Sequence, residues 1–332
     1  MILVTGGAGF IGSNIIKELN KRGKKNIIIV DNINEEKLGN LNDLDFSDYV
    51  DKDRFFKQME NTDVLNDLHI DTIIHQGACT NTTEANSKYI MENNFEFSKL
   101  LIENWKGRSD KADAPFIYAS SASVYGKGTN GFKETSYKDE EKGLSERPIN
   151  VYGFSKLMFD NYLNNFVFDN YPSLIVGLRY FNVFGPREGH KGSMASMIYQ
   201  IYNQIKDLGQ CFLFGENGEF EQGEQRRDFI YVKDVVDVVM YFLDNKENHK
   251  LSGIYNCGTG KSTTFNTIAN HIIEELEEGS IVYEEFPLYL EGKYQNFTQA
   301  DITKLREEGG YKKEFTPVED AVTEYIEILN EE

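Results

Sequence analysis

Residues 2–12 read Ile2-Leu3-Val4-Thr5-Gly6-Gly7-Ala8-Gly9-Phe10-Ile11-Gly12, a short apolar run passing directly into glycines spaced by three. The run predicts a buried strand. Gly6, Gly9 and Gly12 predict a tight turn that lets the backbone approach a pyrophosphate at the start of a helix. Ile11, Ile15, Ile16 and Leu19 then recur at helical spacing. A second apolar run, residues 26–30, ends in Asp31, 19 positions beyond Gly12. A carboxylate there is placed to hold the ribose of an adenosine. A glycine triplet alone joins strands to helices in many folds without any ligand. Strand, triplet, helix, strand and acid in register point to a dinucleotide site.

The alternation continues outward. Candidate strands follow at residues 55–56, 72–75, 116–119 and 174–178, separated by helical stretches. This rhythm predicts an α/β fold, a Rossmann-type doubly wound parallel sheet with helices on both faces. The run at Thr72 ends in His75-Gln76-Gly77-Ala78-Cys79, small residues where a dinucleotide crosses the carboxyl ends of the strands. His75 is expected to be packed or hydrogen-bonded rather than catalytic. After Phe181 the rhythm breaks into a Gly-rich stretch (185–193), a helical stretch (194–206) and a polar loop (215–225), and sheet-like runs return at 229–232 and 254–256. The expected division is a dinucleotide-binding domain from residues 1–180 plus 230–257, and a smaller discontinuous α/β substrate lobe from 181–229 plus 258–332. The loop 215–225 carries three Gly and four Glu. It reads equally as a lid or as a tolerated surface insertion.

At 332 residues and 40% hydrophobic content the chain has enough material for a large core. A formal charge of -19 argues against non-specific binding to nucleic acid or an anionic membrane, which needs a basic surface. Most of the acid reads as solvated surface, as at 139–142 and 274–278. No apolar run approaches the ~20 residues of a membrane helix, and no basic leader precedes the first strand, so a cytoplasmic protein is expected. Cys79, Cys211 and Cys257 have no metal-ligand spacing; reduced thiols and no metal site are expected. Against the acidic background stand the cluster Arg179, Arg187, His190, Lys191 and the pair Arg226-Arg227. Cations among glycines suggest a pocket for an anionic substrate, and an ordinary surface patch is the alternative.

The chemistry centres on Tyr152 and Lys156, four apart and therefore on one face of a helix. A fixed ammonium beside a phenol favours the phenolate and moves its pKa toward neutrality, which equips the pair to move a proton on an alcohol. Ser121, at the end of the run 116–119, offers a hydroxyl to the same oxygen. Either Ser120 or Ser121 could instead simply satisfy turn backbone.

Gly6, Gly9 and Gly12, Ser121 four before Tyr125, and Tyr152 with Lys156 together resemble the extended short-chain dehydrogenase/reductase family over essentially the full length. Within it, the stretch Arg179 to Ser196, Arg227-Asp228-Phe229 and the stretch Gly292 to Asp301 resemble the branch that epimerises ADP-linked manno-heptose at C6''. That resemblance implies a cytoplasmic homo-oligomer, perhaps a pentamer, in the synthesis of the lipopolysaccharide inner core. It also implies a tightly held NADP returned to its oxidised state each turnover. Asp31 alone would favour NAD, whereas Lys37 and Lys52 offset its repulsion of a 2'-phosphate.

Carried over residue by residue, the resemblance assigns Phe10, Ile11, Asp31, Asn32, Lys37, Lys52, Gln76, Gly77, Ala78, Cys79, Thr80, Asn93, Lys156, Val183 and Lys191 to the cofactor. It assigns Tyr152 and Lys191 as the two acid/bases, Ser121 as their hydroxyl partner, and Asn182, Ser193, Gln200, Phe214, Gly215, Glu216, Asn217, Arg227 and Tyr294 to the substrate. Gln76 replaces a family Glu, Gln200 a substrate-side His, and the loop from Asn217 to Arg227 is longer than the pattern. Epimerising an unactivated secondary alcohol requires oxidation to a ketone and return of the hydride to the opposite face. One base per face follows. The nearest rival is a UDP-hexose 4-epimerase or 4,6-dehydratase, although Ser121-Ala122-Ser123 lacks the acid pair of a dehydratase. The rival of another class is a non-catalytic dinucleotide sensor.

Overall fold

The computed structural model describes residues 1–82, 84–106, 114–135, 146–168, 171, 173–290 and 294–331. The acidic run 139–142 and Gly292 lie outside the described residues. In chain order the described strands are β1 (Ile2–Thr5), β2 (Ile27–Asp31), β3 (Asp48–Asp51), β4 (Thr72–His75), β5 (Phe116–Ser121), β6 (Ile175–Tyr180), β7 (Asn182–Phe184), β8 (Cys211–Phe214), β9 (Arg226–Arg227), β10 (Phe229–Tyr231), β11 (Gly253–Cys257), β12 (Thr263–Thr264) and β13 (Ile281–Glu284). Seven of them form one parallel sheet in the order β11-β6-β5-β4-β1-β2-β3. The winding reverses between β1 and β4, and the crevice at the carboxyl ends of those strands is where such sheets bind ligands.

The central strands are largely buried and mostly apolar because both faces are covered. On one face the helices Phe10–Lys21 and Val232–Asp244 bring Ile15, Ile16, Leu19, Val235, Val239 and Phe242 onto Val4, Ile29, Ile74 and Val176. On the other, the helices Lys52–Asn61, Phe97–Lys106 and Val151–Phe166 contribute Phe55, Met59, Leu101, Trp105, Phe159 and Leu163. Each such side chain contributes about 1.5–3 kcal/mol by leaving water. A separate cluster gathers Ile198, Ile201, Ile205, Phe265, Ile268, Ile272, Val322 and Tyr325 around β8 and β10.

The Rossmann-type sheet and most of its strands match the periodicity within a residue or two. One expected strand is wrong: residues 55–56 lie inside the helix Lys52–Asn61, and β3 runs just before it. Asp51 explains this, since its carboxylate accepts the N–H groups of Asp53 and Arg54 and starts a helix whose Phe55 and Met59 are buried one turn apart. The helical stretch expected from residue 194 begins as a 3₁₀ turn, Gly189–Met194, and becomes α-helical at Met197–Leu208.

Candidate active site

The glycine turn is built by close approach. Gly6 has φ +68°, and a Cβ on it would lie 2.6 Å from the backbone nitrogen of Gly77. A Cβ on Gly12 would lie 2.2 Å from the Gly6 carbonyl oxygen. Gly9 caps the helix Phe10–Lys21 without a side-chain hydrogen bond, leaving that helix end open toward the crevice. Asp31 at the end of β2 is buried; its carboxylate accepts Ala8 N at 2.9 Å, Asn32 N at 2.7 Å and Lys37 Nζ at 2.8 Å. Lys37 therefore neutralises Asp31 at the edge of the crevice.

The far side of the crevice is shaped by an irregular helix. Between the helices Ser87–Met91 and Phe97–Lys106 a π-helical turn, Glu92–Glu96, presents Asn93 and Asn94. Asn93 accepts from Lys52, and Asn94 bonds both backbone groups of Cys79 as well as Ser155 Oγ. Gln76 N donates to the Thr5 carbonyl, and Gln76 Oε1 accepts the Tyr180 hydroxyl at 3.0 Å. Among the described residues Gln76 Nε2 is buried with no hydrogen-bond partner, a donor left for a ligand. These observations fit a dinucleotide: a cradle that a Cβ would fill, an open helix end, an acid with a lysine beside it, and an orphaned amide. Val183 and Ala78 are half-buried, and Thr80 is exposed. His75 is neutral and structural, because Nδ1 meets Thr5 Oγ1 and Nε2 meets Ser98 Oγ, while burial and then Lys156 push its pKa down to about 3.

Ser121, Tyr152 and Lys156 come together. The helix Val151–Phe166, capped by Asn150, packs tightly on the turn after β5 because Gly153 has no side chain; a Cβ there would lie 2.5 Å from the Ser123 carbonyl oxygen. The Ser121 hydroxyl neighbours the Tyr152 phenol. Lys156 Nζ donates to the Ala119 carbonyl at 2.9 Å, and burial pulls its pKa down to about 8 against the pull of Asp160. The expected depression of the Tyr152 pKa by Lys156 is not what the structure gives. Burial raises the phenol, and Ser121 is the neighbour that opposes the rise.

Lys191 arrives on a different element. The turn Gly189–Met194 is anchored by Glu188, which the sequence reading missed: its fully buried carboxylate accepts Gly185 N, Ser196 N and Ser196 Oγ at 3.1, 2.6 and 2.7 Å. Nothing in the local pattern distinguishes Glu188 from the many surface acids. Asn14 Nδ2 ties the turn to the first helix by donating to the Pro186 carbonyl. The Lys191 ammonium consequently lies 5.2 Å from the centre of the Phe10 ring, and burial lowers its pKa against Glu188.

The basic cluster does not form one anion pocket. Arg179 is consumed by Asp160 and Glu146, Arg187 by Asp43, and His190 bonds Asn40. Arg227 behaves differently. It is buried, stacks 4.9 Å from the Tyr294 ring and 5.4 Å from Phe265, and among the described residues it meets no carboxylate. Tyr294, Phe214 and Phe286 pack edge to face beside it, and Phe286 was not anticipated. Gly215 and Asn217 are held at the base of the 215–225 loop by Glu284, Gln225 and Asn296, whereas Glu216 points to solvent. Asn182 Oδ1 accepts Thr298 Oγ1, Ser193 is exposed, and Gln200 Nε2 donates to the Ser193 and Ala195 carbonyls. Gln200 thus spends its amide on the loop bearing Ser193. Among the described residues no cluster of His, Cys, Asp and Glu is placed to hold a metal, and no helix is long and apolar enough to cross a membrane.

A glycine-cradled crevice at the switch point, with Ser, Tyr and Lys at its mouth, is paralleled in known proteins. The model of the NAD dependent epimerase/dehydratase family matches residues 2–258. The chain belongs to this family. It is 46% identical over 330 residues to the ADP-L-glycero-D-manno-heptose-6-epimerase of Alkalilimnicola ehrlichii, covering 99% of this chain and 97% of that protein. The crystal structure of the Helicobacter pylori ADP-L-glycero-D-manno-heptose-6-epimerase superposes with a TM-score of 0.77 at 28% identity, over 99% of this chain and 96% of that one. The UDP-glucose 4-epimerase of Thermotoga maritima, with UDP-glucose, superposes with a TM-score of 0.79 at 26% identity, over 99% and 98% of the two chains. Fold similarity thus does not separate two kinds of epimerase; identity over the whole length favours the first. As a member of this family the chain works with a nicotinamide dinucleotide.

Proposed function

We propose that this protein interconverts ADP-D-glycero-D-manno-heptose and ADP-L-glycero-D-manno-heptose at C6'', by transient oxidation to a ketone and re-reduction from either face. The observation that carries the reading is the pair of proton-handling groups on separate elements: the phenol of Tyr152 beside Ser121, and the half-buried ammonium of Lys191 over Phe10. When bound, the dinucleotide supplies reversible hydride acceptance. Tyr152 takes the C6'' hydroxyl proton of one epimer and Lys191 that of the other, with Ser121 holding the oxygen in place. The lowered pKa of Lys191 suits it to accept a proton. Lys156 holds the nicotinamide ribose. Arg227, with no carboxylate among the described residues, meets the substrate diphosphate, and Phe214 and Tyr294 flank the nucleotide.

NADP is our reading of the cofactor. Lys37 already cancels the charge of Asp31, and Asn32 is exposed beside it, so a 2'-phosphate would meet a cation and an amide rather than a bare carboxylate. The same reading divides the chain into a dinucleotide domain (1–180 and 230–257) and a substrate lobe (181–229 and 258–332), and β11 lying in the large sheet supports it. It also carries a cytoplasmic homo-oligomer acting in lipopolysaccharide inner-core synthesis. Incubation with ADP-heptose and, separately, with UDP-galactose, followed by proton NMR, tests the substrate. Epimerisation of the ADP-heptose alone is expected; turnover of UDP-galactose alone would transfer the chain to the 4-epimerases.

A further inference from the structure

Tyr152, Lys156 and Asp160 stand at four-residue intervals on the helix Val151–Phe166, so one face carries all three. Asp160 is completely enclosed, at 0% exposure. Its Oδ1 accepts the Tyr118 hydroxyl, and its Oδ2 accepts Ser120 Oγ and Arg179 Nε, each at 2.9 Å. Arg179 on β6 also donates to Tyr125 OH at 2.9 Å and to Glu146 Oε1 at 2.8 Å. Tyr118 and Ser120 lie on β5 just before Ser121, and Tyr125 closes the turn just after it. One carboxylate therefore joins the helix of the Tyr–Lys pair to the strand end that carries the serine.

We propose that Asp160 is a positioning residue of the active site, which locks the Ser121 strand end against the Tyr152 helix and keeps Lys156 a cation. Charge balance supports this. Among the described residues two buried carboxylates, Asp160 and Glu146, share the guanidinium of Arg179, with the buried Glu134 also in its field, so Arg179 alone does not cancel Asp160. Among the described residues Asp160 is the charge that acts on Lys156. β4 offers His75, a neutral imidazole; β5 offers the Ala119 carbonyl and the Ser121 hydroxyl; the helix itself offers Tyr152, a neutral phenol, and Asp160. Burial pulls Lys156 down to about 8, and Asp160 is the charge that resists further fall.

The inference rests on the proposed reading only in taking Tyr152 and Lys156 as the proton-handling pair. Its test therefore does not depend on turnover. Protein with isotope-labelled lysine, as purified with whatever nucleotide it carries, is titrated by NMR, and Lys156→Arg assigns the Lys156 signal. In Asp160→Asn the midpoint of that signal should fall by about one to two pH units relative to wild type. The alkaline limb of the pH–rate profile for epimerisation should move down with it. Should Asp160→Asn fail to fold, Asp160→Asn/Tyr118→Phe, which removes the same negative charge but keeps Arg179 and spares the new amide a facing hydroxyl donor, makes the same prediction for the midpoint. An unmoved midpoint in the folded variant would overturn the proposal. A lowered midpoint in a protein that turns over no ADP-heptose would leave the Asp160 inference standing and defeat the substrate reading.

Discussion

The Ser121 hydroxyl neighbours the phenol of Tyr152 and opposes the rise of its pKa, while Ser121 Oγ accepts the backbone N–H of Ser123 at 3.1 Å. The hydroxyl is thus fixed from behind and aimed at the group whose pKa it lowers. Ser121→Ala should reduce kcat roughly 100-fold, the scale of losing one oriented donor, with little change in KM. Because Ser121 opposes the burial that raises Tyr152, its loss should also move the acid limb of the pH–rate profile to higher pH. A uniform fall in rate with an unmoved limb would count against direct contact.

Arg227 is a buried guanidinium framed by Tyr294 and Phe265. A desolvated cation of this kind costs stability until an anion arrives. Arg227→Met should therefore raise KM for the nucleotide sugar by about 10- to 100-fold while leaving Tm unchanged or higher. A lowered Tm with normal KM would make Arg227 a structural residue.

The proposed choice of NADP rests on the ion pair of Lys37 with Asp31. Nucleotide released by gentle denaturation should be NADP by mass spectrometry, and Lys37→Ala should weaken NADP more than NAD, because the uncovered carboxylate repels a 2'-phosphate. Recovery of NAD alone from the wild type would overturn this choice.

His75 stays neutral in the fold, with its pKa pushed down to about 3 from an ordinary 6.5. Below the ordinary value the unfolded chain binds a proton that the folded chain refuses. The His75 contribution is therefore complete above that pH, and it declines as pH falls toward about 3, at up to about 1.4 kcal/mol per pH unit. Urea unfolding of wild type and His75→Gln should show the wild type losing more stability between about pH 7 and about pH 5. Parallel losses would show that another group sets the acid limit.

The first strand, the glycine turn and Asp31 were legible because their constraints are local: φ at Gly6, the approach of backbone at Gly12 and a carboxylate at a strand end. Ser121, Tyr152 and Lys156 were legible through their spacing. What escaped was set by tertiary contact. Arg179 looked like a free cation, yet its partners Asp160 and Glu146 lie 19 and 33 positions away. Glu188 and Phe286 have no local signal at all. Residues 55–56 looked like a strand because two adjacent phenylalanines suit either structure, and the cap at Asp51 decides for the helix.

The central claim is that two groups on separate elements each serve one epimer. The most direct test is the epimerisation rate of Lys191→Met and of Tyr152→Phe, started from either ADP-heptose epimer and read by proton NMR. The account predicts that each variant loses at least about 100-fold in both directions, since net inversion needs both groups. Lys191→Met epimerising at the wild-type rate from either side would contradict it.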